Sequence, residues 1–249
     1  MDVQGKAALV TGGTRGIGAA AAVQLAGLGA DVAIVGREAG DAARATKALI
    51  EEAGRRCTIL TADLARPEEA TRCVNETRAT LGGLDILVHC AGATAAGSLL
   101  EVDEALWYQA FDVHVHAIFH LCRAAVPLMK TKGTGAIVLI SSIAGVRGCL
   151  GALAYGVVKG AIPQFTRGLA RELADANISV NCVTPGVIRT RLQDYLTPEQ
   201  VKHNLANRIP LHREGQPEDV ARIISTLVTN DYVTGENITI DGGLTMRIA

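Results

Sequence analysis

The sequence lacks a charge imbalance, a cysteine pair at metal or redox spacing, a long apolar run and a low-complexity linker, and each absence removes a class of function. Against 25 acidic residues stand 24 Lys and Arg, a formal charge of −1. No overall field therefore draws the chain to nucleic acid or to an anionic membrane, and a small neutral or modestly charged ligand fits better. The six cysteines, Cys57, Cys73, Cys90, Cys122, Cys149 and Cys182, are scattered without a C-x-x-C, mostly in apolar runs. They read as buried thiols of a protein in a reducing cytoplasm. No segment approaches the roughly 18 uninterrupted apolar residues of a membrane span, and Lys6-Ala7-Ala8-Leu9-Val10 is too short for the core of a signal sequence. Neither a targeting nor a spanning segment is expected. No Pro/Ser-rich stretch or solenoid-length repeat breaks the chain, so one domain over residues 1–249 is expected.

What is present is a hydrophobic fraction of 49%, ample for a core, laid out in a regular alternation. Short β-type runs fall near 6–11, 31–36, 57–61, 84–89, 135–141, 178–183 and 237–240. Between them lie helical patterns near 16–29, 40–53, 68–81, 104–131, 154–175 and 217–229, with Gly29, Gly54, Gly82 and Gly133 as stop signals. This rhythm predicts repeated βαβ units: a Rossmann-type, doubly wound α/β fold with a seven-stranded parallel sheet and helices on both faces. The segment at about 186–216 is the least regular and carries Pro198 and Pro210. Ligands in such sheets bind outside the carboxyl ends of the strands, so the segment reads as a mobile cover over a site, with a surface decoration as the plainer alternative.

The first strand ends in Thr11-Gly12-Gly13-Thr14-Arg15-Gly16-Ile17-Gly18 and runs into an Ala-rich helix. Glycine permits a tight turn and close approach to a pyrophosphate, and a helix N-terminus offers unpaired N–H groups and the positive end of a dipole. A glycine cluster is also simply a turn, but its place between first strand and helix favours a dinucleotide. Further on, Tyr155 and Lys159 stand four apart on one helix face, in Tyr-x-x-x-Lys, and Ser142 lies beyond an apolar strand, thirteen residues before the tyrosine. A phenol with an ordinary pKa of about 10 needs a cation beside it to serve as an acid/base near neutrality, and Lys159 supplies one. A serine hydroxyl can hold the substrate oxygen near it.

These motifs, with Pro185-Gly186 and the closing Thr234–Gly243 segment, resemble the short-chain dehydrogenase/reductase family over essentially the whole chain. The resemblance implies a hydride transfer between nicotinamide and a carbonyl or alcohol carbon, with Ser142 catalytic and Ser141 its structural neighbour. NADP(H) is the expected cofactor rather than NAD(H): the second strand ends in Gly36-Arg37 with no acid at the junction, and Arg15 adds a second guanidinium able to fork onto a 2′-phosphate. A solvated loop charge is the competing role for each arginine. Asp63 and Leu64 match the family position at adenine, with an N-cap as the other role for Asp63. Cys90, Ala91 and Gly92 keep the small pair that lets a cofactor lie close. Pro185, Gly186, Ile188 and Thr190 match the segment that places the nicotinamide, Thr190 being alternatively a helix cap.

His114 stands where the family's Asn completes a proton relay to the lysine. Histidine hydrogen-bonds and titrates near neutrality, so it is expected to replace or alter that relay and to make catalysis pH-sensitive. His116 and His120 are spaced for a metal, but no third ligand completes a site and none is expected. The substrate wall is expected from Thr94, Arg147, Cys149, Leu150 and Leu153, with a cover near Leu192–Leu205. The broad likeness is to 3-oxoacyl-(acyl-carrier-protein) reductases. Those that dock a carrier expose a basic residue where this chain has Ala174-Asp175-Ala176, so a free ketone, polyol, sugar or CoA-linked substrate stays open. The helices near 104–131 and 154–175 match those through which family members form dimers and tetramers, implying a homotetramer. A cofactor-binding sensor or scaffold is the competing class, opposed by the intact Ser142, Tyr155 and Lys159. An epimerase or dehydratase on the same fold would need a longer chain.

Overall fold

The computed structural model describes residues 1–191 and 196–246. Seven strands form, most of them apolar in their central residues: β1 (Ala7–Thr11), β2 (Asp31–Gly36), β3 (Cys57–Thr61), β4 (Ile86–His89), β5 (Gly135–Ile140), β6 (Ile178–Pro185) and β7 (Asn237–Ile240). They make one sheet in the order β3-β2-β1-β4-β5-β6-β7, every neighbouring pair parallel. A parallel sheet is buried on both faces, which is why β5 is buried at all six positions and shows no polar alternation.

Successive side chains feed two cores. Leu9, Ile137 and Leu139 pack with Leu121 and Ile162 on one face; Val10 and Val138 pack with Leu25, Ile50 and Ile224 on the other. The first core is closed by α3 (Pro67–Leu81), α5 (Ala117–Lys132) and α6 (Leu153–Leu173), the second by α1 (Gly16–Gly27), α2 (Asp41–Glu52) and α8 (Pro217–Thr229). Helix ends follow local chemistry: α3 starts on Pro67 with Glu68 and Glu69 in its first turn and stops at Gly82 in a left-handed conformation (φ 86°). Because β1 lies between β2 and β4, the chain reverses its direction of travel across the sheet there. The loops after β1 and β4 border a crevice at the carboxyl edge.

The stretch 104–131, expected as one helix, is instead α4 (Glu104–Phe111), a π turn over Asp112–His116, and α5. The extra residue of the π turn aims His114 inward, 2% exposed, while His116 stays outside and bonds Asp112 at 2.8 Å. The expected helix 154–175 ends at Leu173 and tightens into a 3-10 turn, Ala174–Ala176. In the irregular segment, α7 (Pro198–His203) begins with a capping box between Thr197 and Gln200. Among the described residues no helix is long and apolar enough to cross a membrane.

Candidate active site

The loop from β1 to α1 is built as a cradle. Gly12 and Gly16 hold left-handed backbone (φ 64° and 56°), and a Cβ on Gly12 would lie 2.8 Å from the Ala91 nitrogen. The loop after β4, which carries Cys90, Ala91 and Gly92, is thereby brought against it. Arg15 is the N-cap residue of α1 and makes no side-chain cap, and no acid stands in the first turn, so the helix's own first turn leaves that positive end unneutralised. Thr190 closes one side: its Cγ2 would be 3.2 Å from a Cβ on Gly16. Ile188 is buried and held in place from both sides, the Val187 carbonyl accepting from Gly215 N–H and Arg189 N–H donating to the Gly215 carbonyl, each at 2.9 Å. A glycine-lined groove at an uncapped helix N-terminus fits a pyrophosphate-bearing dinucleotide.

Arg37 is exposed just past β2, but Arg15 is engaged: its Nη2 lies 3.3 Å from Glu38 Oε1. Gly36-Arg37 itself carries no acid, but Glu38 follows one residue further on. Asp63 does not cap α3, whose N-cap is Arg66; its Oδ1 accepts from Ala65 N–H at 3.1 Å in a local turn and the side chain is exposed. Leu64 beside it is buried. The helix-cap alternative for Thr190 falls on 192–195, outside the described residues.

Across the crevice, β5 delivers Ser141 and Ser142. Ser141 is buried and its hydroxyl donates to the Lys159 carbonyl at 2.7 Å, whereas Ser142 is half-buried and its Oγ accepts from Ala144 N–H at 3.2 Å. Gly145 lets this loop lie directly on α6, since a Cβ there would sit 2.5 Å from Gly160 N and from the Lys159 carbonyl carbon. That contact brings the serine loop to the helix turn bearing Tyr155 and Lys159. Lys159 is buried, its Nζ donating to the Ile140 carbonyl at 2.8 Å and standing 5.7 Å from the Tyr155 ring centre. Burial pulls its pKa down to about 8, against the opposing pull of the neighbouring Cys182 and Cys90 thiols.

His114 stands on the other side of the tyrosine, edge to face, with ring centres 5.7 Å apart. Its Nε2 lies 2.9 Å from the Ala93 carbonyl oxygen and 3.2 Å from the Ala93 nitrogen, which ties the ring to Ala93, while Nδ1 is buried and without a protein partner among the described residues. Burial, with the charge of Lys159 adding to it, drives its pKa down to about 2. The expectation that this histidine titrates near neutrality is corrected: it is a neutral hydrogen-bonding group, because its desolvated ring faces a cation. Sequence reasoning passed over His89, which ends β4 buried with Nδ1 2.9 Å from Thr11 Oγ1; burial and Lys159 also keep it neutral. A histidine closing an apolar strand beside the glycine loop was the available signal.

Of the expected substrate wall, Thr94, Arg147, Cys149, Leu150 and Leu153 are all exposed, and Arg147 donates to the Thr245 carbonyl at 3.2 Å. A bridge between Gly97 and Ala152 joins the two loops that carry this wall. Of the expected cover, 196–205 is described and 192–195 is not. A groove of about 640 Å³ within it, lined by Leu196, Val201 and Leu205 among others, includes none of Ser142, Tyr155 or Lys159. Among the described residues no group of His, Cys, Asp or Glu is arranged to hold a metal.

This is the architecture of a Rossmann-type oxidoreductase. Residues 12–245 match the family model described as enoyl-(acyl carrier protein) reductase. A 3-oxoacyl-(acyl-carrier-protein) reductase of Chlamydia trachomatis is 35% identical over 244 residues, covering 96% of this chain and 97% of the relative. A short-chain type dehydrogenase/reductase from Mycobacterium ulcerans has a similar structure, with TM-score 0.91 and 33% identity, over 99% of this chain and 92% of that one. A short chain dehydrogenase from Burkholderia cenocepacia, solved in complex with NADP, gives TM-score 0.91 at 36% identity, covering 98% and 100%. The chain belongs to the short-chain dehydrogenase/reductase family.

Proposed function

We propose that this protein is an NADP(H)-dependent reductase or dehydrogenase that interconverts a carbonyl and a secondary alcohol on a small substrate, with Tyr155 exchanging the proton at the substrate oxygen. The observation that supports the reading is that the buried Lys159 ammonium stands 5.7 Å from the Tyr155 ring centre while the loop bearing Ser142 lies on the same helix through Gly145. The nicotinamide, when bound, supplies or accepts the hydride. Gly12, Thr14, Arg15, Gly16, Ile17 and Gly18 would hold its pyrophosphate end, Arg15 and Arg37 the 2′-phosphate, and Asp63 and Leu64 the adenine side. Cys90, Ala91, Gly92, Pro185, Gly186, Ile188 and Thr190 would line the nicotinamide end, beside Tyr155 and Lys159. The NADP held by the Burkholderia cenocepacia relative supports the cofactor assignment.

Within the site, Ser142 Oγ donates to the substrate oxygen and fixes it beside the phenol. Lys159 lowers the cost of the phenolate that remains once Tyr155 has given up its proton. His114 takes the relay position: its ring stands edge to face with Tyr155, and its buried, unpartnered Nδ1 can order a proton path toward Lys159. The reacting group is a carbonyl or secondary alcohol of a 3-oxoacyl-reductase-like substrate, and Thr94, Arg147, Cys149, Leu150 and Leu153 form its wall. The exposed Tyr108, Phe119 and Val157 on α4, α5 and α6 support association into a homotetramer through those helices. The six free cysteines are consistent with a reducing cytoplasm.

The test is nucleotide consumption with NADPH and, separately, NADH against ketones, β-keto esters and acyl thioesters. Turnover of one class with NADPH preferred is the expected result. Faster turnover with NADH would overturn the cofactor assignment, and NADPH binding without turnover of any class would favour a sensor.

A further inference from the structure

We propose that Glu38 is a resident competitor of the cofactor's 2′-phosphate: it holds the Arg15 guanidinium in the free chain and so sets how strongly NADP(H) is preferred over NAD(H). The inference rests on the NADP(H) reading above and deepens it.

The loop after β1 and the end of β2 are in contact. Gly13 N–H donates to the Val35 carbonyl at 3.1 Å, and a Cβ on Gly36 would lie 2.6 Å from Thr14 Cγ2. Arg15, Arg37 and Glu38 therefore share one edge of the crevice. Two further charges lie there, Arg44 and Asp41, but they pair with each other, and Arg44 also donates to the Ala39 carbonyl at 2.9 Å, which pins the loop that carries Glu38. Among the described residues, what is left to meet a phosphate is two guanidinium groups and one carboxylate.

Glu38 Oε1 lies 3.3 Å from Arg15 Nη2, and the side chains are 74% and 47% exposed. A pair this exposed is weak and opens readily. A phosphate on the ribose claims the same guanidinium, because a fork of N–H donors matches its oxygens better than a single carboxylate contact. Once displaced, Glu38 remains as a like charge close to a dianion. A ribose hydroxyl in the same place bears no charge and meets no such opposition. Glu38 thus penalises NADP(H) selectively, and its removal should widen the preference for the phosphorylated cofactor.

The experiment titrates NADPH and NADH, followed by nucleotide fluorescence, into wild type, Glu38→Gln and Glu38→Arg at low and at physiological salt. Glu38→Gln should tighten NADPH binding about three- to tenfold and leave NADH within about twofold, with a gain that shrinks as salt screens the charge. Glu38→Arg should tighten NADPH further. An NADPH affinity unchanged in both variants, or NADPH and NADH affinities moving by the same factor, overturns the proposal. So does a loss of NADH affinity alone, which would make Glu38 the acceptor for a ribose hydroxyl. If wild type binds no NADPH, the cofactor reading itself fails; if wild type binds it and the variants do not respond, this inference alone fails.

Discussion

At the scale of single residues, the proposed reaction turns on how a phenol is made to exchange a proton near neutral pH. Lys159 carries that burden in a costly position, because an ammonium removed from water loses its proton more easily. The sign follows from the depressed value: below about 8 the group is the cation that supports Tyr155, and above it the cation is lost. Carbonyl reduction should accordingly hold steady at lower pH and fall, in kcat/KM, by about tenfold per unit as pH rises past that point. A profile flat through the alkaline range would show that Lys159 keeps its proton. His114 has no titration of its own in this window, so His114→Asn should preserve turnover and shift the alkaline limb through the relay. An unmoved limb would remove His114 from the proton path.

Elements position these residues, and one glycine does much of the positioning. At Gly145 the serine loop lies on α6 with no room for a methyl group, whereas at Gly148 in the same loop a Cβ would meet nothing within 4 Å. Gly145→Ala should therefore separate Ser142 from Tyr155, cutting activity by about 10²-fold or more and lowering stability by about 1–3 kcal/mol. Gly148→Ala should leave the thermal melt unchanged. Melts and steady-state rates for the two variants check this, and equal behaviour would contradict the contact. Neither requirement was legible in the sequence, where both positions are glycines in one loop. The alternation of short β-type runs and helical patterns marked all seven strands to within a few residues, because the central strands of a parallel sheet are buried on both faces. The π turn at Asp112–His116 escaped because its side-chain periodicity departs from helical by only one residue. The Arg15–Glu38 pair escaped because it joins residues 23 apart in sequence through a loop contact.

For the whole molecule, the strand order decides where chemistry can occur. The reversal at β1 and β4 opens the crevice, with the glycine loop on one side and α6 on the other, so the proposed nucleotide and acid/base groups would face each other without any insertion in the fold. Aromatic and branched side chains left exposed on α4, α5 and α6 lead us to expect four copies in solution. Light scattering on the eluting protein should return four times the chain mass, and a monomer at micromolar concentration would contradict the assembly. The central claim, that Tyr155 exchanges the proton while NADPH is consumed, is tested most directly by comparing NADPH-dependent carbonyl reduction in wild type and Tyr155→Phe at matched nucleotide saturation. A fall in kcat of about 10²- to 10⁴-fold, with NADPH affinity retained, is the predicted result. A Tyr155→Phe protein that turns over at the wild-type rate would contradict the account.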